Sequence, residues 1–334
     1  MQYTLKYKYN FINYTNKISL QIIIIITMIM MNLFMNNKMF MWMTMEIMTM
    51  SFISMLVLSK SINSAIMYFI VSFISSTIMF LGLLLYPSIN MNIMILISIL
   101  IKIAMFPFNY WFNLMSKSMN YMNLGILMTL MKFIPLNIMH LTIEMNQFLM
   151  PFIMMSMIIS PVMTINKYSL KLILSYSSIH QTSLMMMIMY MNFYMFMFYF
   201  TMYTIITINL MITLSNSVNS MKYEYMMNKK NKIIYIMYMI MYSYFPPMST
   251  FILKWSLIEN LIMMNNQFKL IAIIVMLSSF MMIWSYLNFM NNNIYNYNNF
   301  NKMFSKNTTT KSQKKSCVIW MIMLSSTMYM YFNF

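Results

Sequence analysis

The sequence predicts an all-α polytopic membrane protein with eleven transmembrane helices, on the strength of its composition, its apolar runs and its lysine placement. Of 334 residues, 61% are hydrophobic and 7% charged, with a mean hydropathy of +0.67. A soluble domain carries roughly 25% charged residues. Apolar windows near the ~20 residues that a bilayer core demands recur at 18–35, 39–58, 62–85, 91–112, 121–141, 147–165, 168–190, 193–214, 233–263, 268–290 and 317–334. If these alternate across a bilayer, Lys38 and Lys269 fall on one side and Lys102, Lys132 and Lys254 fall inside spans, while every other lysine falls on the N-terminal side. Losing one span would scramble that asymmetry. By the positive-inside tendency the N-terminus faces the matrix-like compartment and the C-terminus the opposite one.

Composition also excludes several functions. Every basic residue is Lys, Asp is absent, and the four acids are Glu46, Glu144, Glu224 and Glu259. One cysteine (Cys317) and two histidines (His140, His180) exclude a chain-held iron–sulfur cluster and argue against a zinc site, so no metal is expected. With only Gly82 and Gly125, no glycine-rich phosphate loop can form, and no cofactor is expected on this chain. The formal net charge of +17 reads as a topology signal, with no nucleic-acid partner. The 56 methionines, the many Ile, Asn, Lys, Tyr and Phe, and the missing Arg fit A/T-only codons in which ATA reads as Met. That points to an AT-rich mitochondrial genome. No secretory cleavage site follows the first run, which reads as a mature helix.

Taken in order, span 2 carries Glu46 eight residues in, well below the interface at about 1.5 Å per residue. Burial disfavours the charged form, so Glu46 is either a proton-loading site or a permanently protonated hydrogen-bonder between helices. Span 4 carries Lys102 and Pro107. A charge at a helix centre costs about 2.5–3.5 kcal/mol, and proline removes a backbone hydrogen bond. Span 5 carries Lys132, too deep to snorkel. Span 7 surrounds His180 with Ser175, Ser177, Ser178, Gln181, Thr182 and Ser183. That histidine is equally a relay on a hydrated path or a satisfied interhelical hydrogen-bonder. Span 9 is too long for one crossing, is interrupted by Pro246-Pro247, and carries Lys254. One deep acid cannot pair with three deep lysines, so at least two lysines must be neutral part of the time or hydrated. His140, Glu144 and Glu259 fall at span ends as interfacial groups. Residues 215–232 and the Asn- and Lys-rich 291–316 read as solvated loops, with partner docking or contact with an anionic phospholipid such as cardiolipin as the alternative role.

Grouped in fives, spans 1–5 and 6–10 each have a proline-broken, lysine-bearing fourth member. The second group starts from the opposite side. This predicts two inverted five-helix repeats, 18–141 and 147–290, followed by a C-terminal helix at 317–334, with an ion path at the midplane.

The run Lys102-Ile103-Ala104-Met105-Phe106-Pro107-Phe108-Asn109-Tyr110-Trp111 resembles the K-x-G-x-x-P-F-H-x-W signature of the antiporter-like subunits of NADH:ubiquinone oxidoreductase, respiratory complex I. Further matches are Trp42 to Glu46 (W-x-G-x-E), Leu130 to Leu136 (L-x-x-x-K-I-A-P-L), Asn166 to Ser178 (N-Q-T-x-x-R-K-I-x-A-Y-S-S) and Phe245 to Trp255 (L-P-P-L-T-G-F-x-P-K-W). They cover spans 2 to 9 in order. The animal members of the family have eleven helices.

The resemblance implies a proton-translocating membrane-arm subunit in the mitochondrial inner membrane, partnered by other membrane-arm subunits and handling no small molecule besides protons. FMN, iron–sulfur clusters and ubiquinone belong to other subunits, and no redox site is expected here. It implies relay roles for Glu46, Lys102, Lys132 and Lys254. Several positions depart from the pattern. The family lysine that pairs with the glutamate falls on Met67, the family histidine falls on Gln181 beside His180, and family glycines fall on Ala104 and Ser249-Thr250. Two alternatives stand beside this reading: a free-standing cation/proton antiporter, and a spacer subunit without its own proton path.

Overall fold

The computed structural model describes residues 2–35, 37–84, 89–142, 149–165, 167–220, 237–244, 249–263 and 266–300. The elements are α1 (Gln2–Phe34), α2 (Lys38–Leu58), α3 (Ile62–Leu84), α4 (Ile89–Ile103), α5 (Tyr110–Ser118), α6 (Tyr121–Met128), α7 (Leu130–Thr142), α8 (Leu149–Ile165), α9 (Leu170–Met191), α10 (Phe193–Ser220), a helical run α11 (237–242), α12 (Ser249–Met263) and α13 (Asn266–Phe300). No strand occurs among the described residues. Five stretches there are long and apolar enough to cross a membrane: Lys38–Leu58, Ile62–Leu84, Tyr121–Leu141, Phe193–Ser215 and Phe268–Phe289. Shorter apolar helices cover Ile18–Phe34, Ile93–Ile103 and Leu149–Ile165.

The residues that face inward are those expected of helices packing in lipid. Helix α3 buries Ser64, Ala65, Ser72, Ser75 and Ser76 while exposing Ile66, Phe69, Ile70, Phe73 and Ile74. Small residues let backbones approach, and the large apolar ones face outward where hydrocarbon would lie. The buried hydroxyls return to carbonyls one turn back, as Ser72 does to Phe69 and Ser75 to Ser72, so none is left unsatisfied. Helices α1, α2 and α4 pack around α7, with α3 against α2, α4 and α5, and α8 packs with α9, α10, α12 and α13 in a second group. Helices α5, α6 and α7 join the two by resting on α9.

Helix ends meet at both ends of this bundle. At one end Lys171, at the start of α9, donates to the Met119 carbonyl at 2.6 Å beyond the end of α5. At the other end the His140 ring lies 4.5 Å from Phe193, and Tyr190 stacks on Phe268 at 6.2 Å.

Several expected boundaries need correction. The span at 91–112 is two helices, α4 and α5, because the chain turns at Ala104–Asn109. The span at 121–141 keeps its expected bounds but is interrupted at Thr129, between α6 and α7. Thr129 donates both its hydroxyl (2.7 Å) and its N–H (3.1 Å) to the Gly125 carbonyl, and its φ of −112° with ψ of −85° ends α6. The expected loops begin later than their polarity suggests, because α10 runs to Ser220 and α13 to Phe300. Helix α1 starts at Gln2, well before residue 18. Pro246, Pro247, Glu144, Glu224, Cys317 and the span 317–334 lie outside the described residues.

Candidate functional site

The break after Lys102 is built by backbone chemistry. Ala104 adopts φ 62°, and its N–H reaches the Ile101 carbonyl at 3.2 Å while that of Met105 reaches Leu100 at 3.1 Å. These two bonds form a Schellman cap, whose left-handed position normally takes glycine. That explains why the family pattern carries glycine where this chain has Ala104. Seven residues after Ala104, the Trp111 indole N–H donates to the Ile101 carbonyl at 3.1 Å. The lysine-to-tryptophan spacing of the motif thus closes the freed carbonyl end of α4 with a side chain from α5.

At this capped end the Lys102 Nζ lies 2.9 Å from the Glu46 Oε1 on α2, with the two side chains 6% and 22% exposed. Glu46 therefore has a partner. Met67 faces outward at 37% exposure, and its neighbour Tyr68 turns inward, within electrostatic reach of Glu46. Lys102 fills the place that the sequence left open.

Lys132 and Lys254 have no carboxylate beside them among the described residues. Lys132, three residues after the Thr129 interruption, is 3% exposed. Its Nζ lies 3.3 Å from both the carbonyl and the hydroxyl oxygen of Ser178, and 4.9 Å from the Phe112 ring centroid. Lys254 is 2% exposed, and its Nζ makes no hydrogen bond. It sits 4.4 Å from the Tyr244 ring centroid, where the face of the ring attracts a cation.

His180 is fully buried, with Nε2 3.1 Å from the Ser278 hydroxyl on α13 and Nδ1 unpartnered. It lies within electrostatic reach of Lys254. Gln181 points elsewhere, accepting a hydrogen bond from the Tyr199 hydroxyl on α10. The neighbouring hydroxyls do not form one continuous wire. Thr182 and Ser183 return to Ile179 and His180 carbonyls, whereas Ser175 reaches Asn113 at 2.8 Å.

Motif reading missed a buried tyrosine cluster. The Tyr242 hydroxyl lies 3.0 Å from Ser177 Oγ, one residue from the Ser178 that holds Lys132. Tyr203 and Tyr286 rings sit 6.1 and 5.8 Å from that of Tyr242. Tyr199 and Tyr244 stack at 5.7 Å and 12°. This cluster runs from the Ser177–Ser178 corner beside Lys132 to the ring beneath Lys254. The signal was weak in the sequence because the chain has 25 tyrosines. No cluster of three or more His, Cys, Asp or Glu occurs among the described residues.

The family described as NADH:quinone oxidoreductase/Mrp antiporter, transmembrane, matches residues 85–282, which include Lys102, Lys132, His180 and Lys254. NADH-ubiquinone oxidoreductase chain 2 of Apis mellifera ligustica is 26% identical over 286 residues, covering 83% of this chain and 85% of that one. The protein of the same name from Locusta migratoria is 30% identical over 268 residues, covering 73% and 75%. A chain of respiratory complex I from Thermus thermophilus shares the fold with a TM-score of 0.70 at 13% identity, covering 81% of this chain and 69% of that one. With its matched span and its insect relatives taken together, the chain belongs to the NADH:quinone oxidoreductase/Mrp antiporter membrane family and is similar over most of its length to NADH-ubiquinone oxidoreductase chain 2.

Proposed function

We propose that this chain is a proton-translocating membrane-arm subunit of NADH:ubiquinone oxidoreductase, working in the mitochondrial inner membrane beside other membrane-arm subunits. Its relatives and its family support that assignment. In this reading the eleven crossings form two inverted repeats, the N-terminus faces the matrix and the C-terminus the intermembrane space. Protons pass along Glu46, Lys102, Lys132 and Lys254, with His180 beside the last. FMN, iron–sulfur clusters and ubiquinone act in other subunits, and anionic phospholipid such as cardiolipin surrounds the bundle.

One observation carries the relay: among the described residues, three enclosed lysines stand with a single partly enclosed acid, which only Lys102 meets. An uncompensated ammonium in a dry interior costs several kcal/mol, so such groups shed their proton or draw water. A lysine that exchanges its proton with its surroundings is a relay station, whereas a fixed strut would be built from paired charges. Moving one charge against 100 mV costs about 2.3 kcal/mol. This chain's own groups supply no such energy, so the redox chemistry of its partners must drive the shift between paired and unpaired states of Lys102.

The test is to place Lys102→Met or Lys254→Met in the assembled complex and measure protons moved per electron pair. Methionine keeps the side-chain length and removes the charge. We expect the stoichiometry to fall, with quinone reduction slowed several-fold. Unchanged stoichiometry and rate in both variants would favour the spacer reading.

A further inference from the structure

Lys254 has no hydrogen bond, yet an opening comes close to it. A small cleft, with room for about one water molecule, lies between the α9–α10 corner and α12. Asn192 and Asn260 stand at its exposed rim, and buried Ser256 lines its wall. Tyr199, fully buried, forms part of the lining. Asn260 is six residues from Lys254 on α12, about 9 Å along the axis, and Leu257 of the lining is one turn from Lys254 on the same face. The Tyr199 ring stacks on Tyr244, and the Tyr244 ring carries the Lys254 ammonium.

We propose that this cleft is the water-access path to Lys254, closed in this structure by the stacked pair Tyr199 and Tyr244. The proposal rests on the relay reading above and adds where the last lysine meets solvent. The rim offers amide donors and acceptors that hold water. Behind them, Met195 and Leu257 make the walls apolar, so water enters only when the ring pair parts. Two contacts hold the pair shut: the Tyr199 hydroxyl bond to Gln181 and the parallel stack itself. The rim lies at the end of the bundle marked by Tyr190, Phe193 and Phe268, away from Lys117 and Lys171. The path therefore opens at the end of the bundle opposite Lys117 and Lys171.

The experiment uses membranes holding the assembled complex, in a Cys317→Ser background. Ser256→Cys is exposed to a membrane-impermeant methanethiosulfonate from the side opposite Lys117 and Lys171, with fully buried Ser183→Cys as the reference. We expect Ser256→Cys to react at least tenfold faster than the reference, and faster again when Tyr199→Ala is added. Tyr199→Ala should also raise passive proton leak, and adding Lys254→Met should remove that leak. Where Tyr199→Ala fails to assemble, Tyr199→Phe makes the same labelling comparison, since it loses only the bond to Gln181. Equal labelling of Ser256→Cys and Ser183→Cys overturns the proposal. So does labelling only by a membrane-permeant reagent, which would make the cleft a lipid site, or a leak that persists with Lys254→Met. Labelling is read without pumping, so failure of the relay itself would show separately, as unchanged stoichiometry in Lys254→Met alone.

Discussion

Glu46 and Lys102 form the only ion pair among the described residues, joined across 2.9 Å between α2 and α4. Breaking an enclosed pair by removing one partner costs about 3–5 kcal/mol because the remaining charge is stranded. Glu46→Gln is expected to lower the thermal stability of the assembled complex and to slow coupled turnover. Glu46→Gln with Lys102→Met should recover most of the stability and none of the proton transfer. Thermal inactivation and proton stoichiometry, measured on both variants, check this. If the double variant is as unstable as the single, the pair is not the source of the loss. His180 and Gln181 show how one position on a helix changes the neighbour reached. His180 meets α13 and Gln181 meets α10, so the family histidine position and the actual histidine serve different contacts.

At the scale of an element, the break in α4 depends on a left-handed residue without glycine's freedom. A side chain at positive φ costs about 1–2 kcal/mol, part of which glycine's greater flexibility gives back. Ala104→Gly should therefore raise the stability of the subunit by roughly 0.5–1 kcal/mol, read as a higher inactivation temperature. Trp111→Phe leaves the Ile101 carbonyl without its indole donor, a loss of about 1 kcal/mol. The contact of α6 with α10 is tighter still. A Cβ at Gly125 would meet Met211 Cγ at 2.9 Å and Cβ at 3.2 Å. Gly125→Val is expected to destabilise the packing by about 1–3 kcal/mol, whereas Gly125→Val with Met211→Ala should restore part of it. Assembly yield and inactivation temperature of both variants decide this.

For the whole molecule, the paired helix ends matter most. Lys171 reaches Met119 at one end of the bundle, and Tyr190 meets Phe268 at the other. In the proposed reading the driving energy comes from redox chemistry in partner subunits. The purified chain in liposomes should show no cation-for-proton exchange above that of Lys102→Met, as fluorescent pH dyes would report. Exchange at a rate abolished by Lys102→Met would instead support a free-standing antiporter.

The membrane class, the buried lysines and the first break were legible in the sequence because each follows from local facts. An apolar run long enough to span announces itself by length, and a lysine or proline within it by its cost. The Thr129 interruption was not legible, since a threonine returning its hydroxyl to the Gly125 carbonyl looks in sequence like any other threonine. Nor could spacing say which groups meet. Glu46 and Lys102 are 56 residues apart, Lys132 and Ser178 are 46 apart, and Ser177 and Tyr242 are 65 apart. Those meetings depend on how each helix is rotated and which neighbour it packs against. The sequence alone determined that charges are buried and where along the chain they lie. Tertiary packing alone decided that one lysine has an acid, one has a serine, and one has only the face of a tyrosine.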